Sequence, residues 1–240
     1  MRRRYVCGVL AGVLAIAAAL SASAGGAATA VRHGPDHKIS NSTSTNWSGY
    51  AVTGSRFTSV SASWTEPTVS CSGTAYSSFW VGLDGDTSGT VEQTGTDADC
   101  SGSTPQYYAW YEMYPKFPVN LSGTVRPGDH LSASVTTNGS GAFTLTITDS
   151  TQGWTNKTSA RLKSAKLASA EVIAEAPSSS GGVLPLANFG TVSFSGATAN
   201  GVSMDKLPNL DPITMASGST VKAQPSSISN GAFSVTWKHS

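Results

Sequence analysis

The sequence predicts an all-β fold, an antiparallel sandwich or barrel, and three observations lead there. Short apolar runs alternate with Ser and Thr at a period of two, which places apolar side chains on one face of a strand and hydroxyls on the other. Turn sequences rich in Gly, Pro, Asn and Asp separate these runs. Charged residues make up only 12% of the chain, about half the usual share, and Ser, Thr and Gly fill the difference.

The alternation starts after Asn46 and can be followed along the chain. Val60, Ala62 and Trp64 alternate with Ser61, Ser63 and Thr65. Leu131, Ala133 and Val135 alternate with Ser132 and Ser134, and Phe143, Leu145 and Ile147 with Thr144, Thr146 and Thr148. Val192 with Phe194, and Phe233 with Val235 and Trp237, repeat the pattern. Arg126-Pro127-Gly128-Asp129, Asn138-Gly139-Ser140-Gly141 and Ser195-Gly196 supply turns between them. Many short strands joined this way fit an antiparallel sandwich or barrel. In Tyr107–Pro115 the same period places Tyr108, Trp110, Glu112 and Tyr114 on one face and Tyr107, Ala109, Tyr111 and Met113 on the other. Aromatics flanking a carboxylate suit a groove lining, and equally a strand buried on one side with a solvated Glu. One segment conflicts with the rest: residues 158–175 are rich in Ala, Leu, Lys and Glu, and propensity alone predicts a helix.

The N-terminus has the grammar of a secretory signal. Arg2, Arg3 and Arg4 precede an apolar run from Val9 to Leu20, which is short against the roughly 20 residues of a spanning helix. Ala22-Ser23-Ala24 and Ala28-Thr29-Ala30 both offer cleavage sites. The organisation expected is a signal peptide over 1–30, a polar leader or short propeptide over 31–45 that lacks periodicity, and one β domain over 46–240. Roughly 210 residues suffice for one proper core. The 15 Lys and Arg of the chain fall to 12 without the signal arginines, against 14 Asp and Glu. A near-neutral product argues against nucleic-acid binding, which needs a basic patch or stripe. Low charge also leaves few ion pairs for acid to break. Cys7 leaves with the signal, and in an oxidising compartment Cys71 and Cys100 are expected to form a disulfide.

Several chemistries have no motif here. No G-x-S-x-G elbow is present, and the four His residues (His33, His37, His130 and His239) show neither H-E-x-x-H nor Cys/His zinc spacing. No metal and no cofactor are expected. Acid–base chemistry has to rest on carboxylates and amides.

Four blocks in order resemble the glutamic peptidases, or eqolisins, over most of the mature chain. Asn46-Trp47-Ser48-Gly49-Tyr50 is similar to the family's opening strand. Phe79-Trp80-Val81-Gly82-Leu83-Asp84-Gly85-Asp86 followed by Gln93-Thr94-Gly95 resembles its W-V-G-[IL]-D-G…Q-T-G block. Ala109-Trp110-Tyr111-Glu112 with Tyr114-Pro115 resembles A-W-Y-E-x-Y-P. Ala170-Glu171-Val172-Ile173-Ala174-Glu175 resembles A-E-[WF]-I-x-E. Val172 replaces the usual aromatic, Tyr108 stands where one fungal-type pattern has Asp, and the loop between Asp84 and Gln93 is one residue shorter. These departures bear on subsite shape.

The resemblance implies a jelly-roll-like, concanavalin-like sandwich of two antiparallel sheets, and a strand rather than a helix from about Ala168, with 158–167 left open. It implies a catalytic dyad of Gln93 and Glu175, with Trp80, Asp84, Asp97, Trp110, Glu112 and Tyr114 lining the substrate cleft or supporting the dyad. Glu175 could take a proton from water and later give one to the leaving amine. Gln93 could donate an N–H to the oxyanion. A carboxylate base keeps useful basicity in acid, where a His is protonated. Glu171 shares the strand face of Glu175, so a swapped role stays open. The product expected is a monomeric, extracellular endopeptidase acting on protein or peptide substrates, free of membrane after signal cleavage. The rival expectations are a carbohydrate-binding sandwich and a glycoside hydrolase using Glu112 and Glu175.

Overall fold

The computed structural model describes Met1 and residues 30–35, 42–54 and 56–240. The rest of the expected signal peptide and residues 36–41 of the polar leader lie outside the described residues.

Thirteen strands of five or more residues build the domain: β1 Trp47–Thr53, β2 Ser59–Thr65, β3 Ser78–Leu83, β4 Val91–Ser101, β5 Thr104–Tyr114, β6 His130–Thr137, β7 Ala142–Asp149, β8 Trp154–Arg161, β9 Ser169–Glu175, β10 Thr191–Ala199, β11 Leu210–Ser217, β12 Thr220–Pro225 and β13 Phe233–Trp237. They form the antiparallel sandwich expected, in two layers. One layer runs β11-β1-β9-β3-β4-β5, and the other β8-β7-β6-β2-β10-β13-β12-β11. Strand β11 belongs to both. Leu210–Ile213 pairs with β1 and Met215–Ser217 with β12, with a register shift between Met215 and Ala216. Such an irregularity bends a strand, and here it turns the corner between the sheets.

The alternation read from the sequence sorts side chains between two environments. Tyr50, Val52, Phe79, Val81, Val172 and Ala174 face Val60, Trp64, Leu131, Leu145, Ile147, Phe194 and Val235 in the core between the layers. The opposite face of the first layer carries a second, smaller cluster of Trp47, Ala51, Trp80, Val91, Trp110, Ile173 and Ile213, flanked by Tyr108 and Tyr114. A sheet with apolar residues on both faces must be covered on both, and this outer face holds the candidate site.

The helix that propensity predicts over 158–175 does not form. Residues 158–161 end β8, paired with β7, and Ser169–Glu175 is β9, paired on both sides with β1 and β3. A central strand gains two hydrogen-bonded ladders and two buried faces, which outweigh tenths of a kcal/mol per residue of intrinsic preference.

Cys71 and Cys100 are joined, with Cα atoms 5.3 Å apart, fastening the segment after β2 to the end of β4. Closing a loop of 29 residues constrains the unfolded chain by about 3 kcal/mol. Replacing both cysteines by Ser is expected to lower the unfolding free energy by about that amount, measured by urea denaturation. An unchanged midpoint would count against the loop-closure account.

Candidate active site

Strand register assembles the site. Across β9, β3, β4 and β5, Glu171 pairs with Gly82, Gly82 with Gln93, and Gln93 with Glu112. Two residues along, Ile173, Trp80, Gly95 and Trp110 form the next row, and Glu175, Ser78, Asp97 and Tyr108 the one after. All these positions share the outer face, because paired residues in antiparallel strands point the same way. Gly95 lets the sheet carry indoles on both neighbours: a Cβ there would lie 2.2 Å from the Phe79 carbonyl oxygen and 2.5 Å from Trp80 Cβ.

A short segment of the leader lies across this face. Arg32 pairs with Ser178 as an added antiparallel bridge, with Arg32 N–H donating to Ser178 O at 2.8 Å and Ser178 N–H returning a bond at 2.9 Å. The next peptide bond, His33–Gly34, sits between the two expected catalytic side chains. Gln93 Nε2 donates to the His33 carbonyl oxygen at 2.7 Å, and Gly34 N–H donates to Glu175 Oε1 at 2.8 Å. The carbonyl can only accept, so the amine end of the Gln93 amide must face it.

Glu175 is fully buried and hydrogen-bonded on both oxygens. Asn46 Nδ2 donates to Oε1 at 3.0 Å and to the Gly34 carbonyl at 2.7 Å, while Trp80 Nε1 donates to Oε2 at 2.7 Å. Burial away from water pushes this carboxyl up to about 8; the nearby His33 and the N–H donors of Gly34 and Trp80 only partly offset it.

The His33 ring lies flat on Trp110, with centroids 3.8 Å apart and planes 6° from parallel. Its Nδ1 is 3.1 Å from Glu112 Oε2, and its Nε2 is 3.3 Å from Asp97 Oδ2. Burial opposes a charge on this ring. The carboxylates of Asp97 and Glu112 overcome that cost and raise its pKa well above the ordinary value, so both ring nitrogens donate. Trp110 Nε1 in turn donates to Asp97 Oδ1 at 2.5 Å. Tyr108 Oη lies 2.8 Å from Oδ2 of both Asp97 and Asp99. A phenol has one proton to give. Asp99 is pushed up to about 8 by burial and by Asp97, so it keeps its own proton and donates to the phenol while the phenol donates to Asp97.

Gln93, Glu175, Trp80, Asp97, Trp110, Glu112 and Tyr114 thus meet around one peptide bond. Asp84 does not join them. Buried at the end of β3, it accepts from the backbone N–H groups of Lys166 and Leu167 on Oδ2 and of Ala168 on Oδ1, each at 2.8 Å, and so holds the entry to β9. It positions Glu175's strand rather than touching the cleft. Asp84→Ala strands three backbone donors at about 1–3 kcal/mol each where buried. The expected result is a loss of about 3 kcal/mol or more in a urea melt. Glu171 faces the same side as Glu175, but among the described residues its carboxyl makes no hydrogen bond to the bound segment; burial lifts this carboxyl well above the ordinary range, Ser169 partly offsetting this.

Two contributors escaped the sequence reading. Asn46 was legible as part of a block but not as a partner of Glu175. His33 falls in an aperiodic polar segment with no motif to single it out.

A sequence profile of the peptidase A4 family matches residues 45–237. The chain is 39% identical over 110 residues to scytalidopepsin B of Scytalidium lignicola, covering 45% of this chain and 41% of that protein. It is 30% identical over 181 residues to aspergillopepsin-2 of Aspergillus niger, covering 65% and 64%. Both matches thus span less than two thirds of the curated relatives. The fold superposes on a crystal structure of scytalido-glutamic peptidase with a transition state analog inhibitor at a TM-score of 0.72 and 29% identity, covering 81% of this chain and 98% of that one. The chain belongs to the peptidase A4 family.

Proposed function

We propose that the protein is a secreted, acid-acting endopeptidase that hydrolyses peptide bonds with Gln93, Glu175 and an activated water. The carrying observation is that Gln93 Nε2 and the Glu175 carboxyl address the two sides of a single peptide bond, carbonyl oxygen and amide nitrogen. Those are the atoms that gain negative charge and a proton when an amide is cleaved. Gln93 is the oxyanion donor, fixed before reaction on a strand between two neighbours. Its Oε1 is buried and accepts no hydrogen bond from the described residues, which leaves an acceptor for the attacking water.

Glu175 serves as base and then as acid. In a cleft open to water its carboxyl lies nearer the ordinary range and is ionised in mild acid. Once a peptide covers it, desolvation lifts its pKa to about 8, and the proton taken from water is held until the amine leaves. Family membership and the inhibitor-bound structural relative support peptide substrates. The Cys71–Cys100 bond and the signal-like residues 1–30 support export, and nothing in the proposed mechanism requires a second copy of the chain.

The glycoside hydrolase alternative assigns Gln93 no chemical step, although it is buried with its amide on a peptide carbonyl. The test is a digest of an unfolded protein between pH 3 and 5, beside a panel of soluble polysaccharides. Peptide fragments with intact polysaccharides are expected. Sugar binding or cleavage without proteolysis would overturn the assignment.

A further inference from the structure

The fold sorts the charges of this chain by sign. Eleven of the described Asp and Glu residues are buried, and none is fully exposed. The two that are half-buried are engaged: Asp205 accepts from Lys206 Nζ at 2.8 Å, and Asp211 accepts from Ser42 Oγ. Nine Lys and Arg side chains stand exposed. A sequence with near-equal numbers of both signs therefore folds into a molecule whose surface charge is mostly positive.

Five of these cations gather at one end of the second layer. Lys157 and Arg161 project from the edge strand β8, on the exposed side that also carries Thr155 and Ser159. Lys163 and Lys166 follow in the connection to β9, and Arg56 joins them from the connection between β1 and β2. Close contacts hold these segments together. Phe57 N–H donates to the Leu167 carbonyl and Leu162 N–H to the Gly141 carbonyl, each at 2.9 Å. A Cβ on Gly139 would lie 2.8 Å from an Arg56 guanidinium nitrogen. Among the described residues no carboxylate pairs with any of the five. Asp84 lies under this corner, but it is buried and its oxygens take the backbone N–H groups of 166–168.

The sheet face beside these cations is lined with hydroxyls. Thr136, Thr144 and Ser159 form one row across β6, β7 and β8, and Ser134, Thr146 and Lys157 the next. A groove of about 520 Å³ opens where the first row meets Asn138 and Arg161. A second, of about 270 Å³, lies on the same face over Ser63, Ser134 and Thr146.

We infer that this face of the second layer docks a polysaccharide carrying strong-acid ester groups, its hydroxyls in the grooves and its esters on Lys157, Arg161 and the neighbouring cations. Side-chain hydroxyls both donate and accept, which matches a polyol. Guanidinium and ammonium groups match an oxyanion, the guanidinium as a two-pronged donor. Lys157 and Arg161 are four residues apart on an extended strand, about 13 Å, which is longer than one sugar ring and suits a polymer. Each exposed contact is weak in water, and a polymer that engages several at once gains by multivalency. A sulfate or phosphate ester keeps its charge in acid, whereas a carboxylate with an ordinary pKa of about 4 is half neutral at that pH. Nucleic acid would satisfy the charges and leave the grooves unused. Single strands stack their bases on aromatic side chains, and the exposed aromatic among the described residues, Phe117, follows β5 in the other layer. The cleft lies on the outer face of the first layer, so a molecule docked this way turns its cleft away from the polymer. The inference goes beyond the peptidase reading and does not depend on it.

The experiment runs the full chain at pH 4 and low salt through affinity gels containing dextran sulfate, uncharged dextran or single-stranded DNA. Digestion of an unfolded protein is measured in the presence of each polymer. Retardation by dextran sulfate is expected, reversed by added salt, with none by dextran and at least tenfold weaker binding to DNA. Lys157→Ser combined with Arg161→Ser is expected to weaken dextran sulfate binding roughly tenfold, and Thr146→Val, which changes no charge, about threefold. Arg126→Ser combined with Lys238→Ser removes the same charge from elsewhere on the surface and is expected to change binding less than about twofold. Digestion should be the same in all variants and with polymer bound. Equal weakening by the two double variants, or DNA held as tightly as dextran sulfate, would mean that overall charge alone binds and would overturn the inference. Digestion blocked by dextran sulfate would place the polymer at the cleft and overturn it too. Digestion without dextran sulfate binding would overturn the inference and leave the peptidase standing; binding without digestion would do the reverse.

Discussion

Glu175→Gln is expected to lower the rate of peptide cleavage at pH 4 by a factor of about 10³–10⁴, with the fold intact. The substitution keeps the size of the side chain and an oxygen able to accept from Asn46, Gly34 or Trp80, so the four-strand face that carries it should persist. What is lost is a group that can take a proton from water and hand it to the Gly34-side nitrogen. Gln93→Ala is expected to cost about 10²–10³ through the lost oxyanion donor. The effects should not add, because both groups act on one tetrahedral species. Glu171→Gln is the discriminating control. Glu171 shares the strand face but makes no hydrogen bond to His33 or Gly34, so its loss should change the rate only a few-fold. Circular dichroism and urea midpoints on all three variants separate chemistry from folding. Full activity in Glu175→Gln, or an inactive but folded Glu171→Gln beside it, would reassign the base.

The second large effect is on stability, and its sign follows from proton counting. Glu66, Glu92, Asp99 and Glu175 are each pushed up to about 8, burial being the largest cause in every case. Glu112, Glu171 and His33 are raised as well. In the unfolded chain carboxyls lose their protons near pH 4–4.5, whereas in the folded chain Glu66, Glu92, Asp99 and, beneath the leader segment, Glu175 hold theirs to about pH 8. Between those limits the folded state binds more protons, so stability is fully present below about pH 4 and falls as pH rises. A tenfold gain in proton affinity on folding corresponds to about 1.4 kcal/mol, so a few such groups together rival the about 5–15 kcal/mol that holds a whole domain together.

The urea midpoint is therefore expected to be highest near pH 4 and to collapse by pH 8. Glu66 allows a clean check, since it sits between the sheets, accepting from Thr96 Oγ1 at 2.6 Å and Trp64 Nε1 at 3.2 Å, away from the bound segment. Glu66→Gln keeps an acceptor for both donors and removes the ionisation. It should flatten part of the pH dependence while leaving cleavage at pH 4 within a few-fold. A pH-independent midpoint in the parent protein would show that these carboxyls ionise without penalty.

The two effects together give the sequence-level shortage of charge a physical meaning. A chain with 12% charged residues that places several of its carboxyls in apolar surroundings is suited to conditions that keep them protonated. The same burial that lifts Glu175 lifts its neighbours, so the proposed proton transfer and the proposed preference for acid share one cause.

Fold and site were legible to different depths. Period-two alternation in segments such as Val60–Trp64 and Phe143–Ile147 located strands, because a half-buried strand leaves a local record. The four blocks named Gln93, Glu175, Trp80, Trp110 and Glu112, and once β3, β4 and β5 are paired, register alone brings Gln93 and Glu112 side by side. In 158–175 propensity alone favours a helix, but the family block already implied a strand from about Ala168, and Ser169–Glu175 is one; helix propensity is local while the ladders of β9 are not. The block left Asp84 either lining the cleft or supporting the dyad, and only the tertiary structure shows its carboxyl turned to the backbone of 166–168.

By itself the sequence determined the all-β class, the disulfide pair and the identity of the two residues that face the peptide bond, since each is written in neighbouring residues or in short motifs. Only the tertiary structure decided that Asn46 supports Glu175 across 129 positions, and that Gly34 reaches the same carboxyl across 141. Such contacts exist only after two sheets have closed and strands remote in sequence lie edge to edge. That physical fact turns an ordinary His-Gly in a polar leader into the peptide bond held between Gln93 and Glu175.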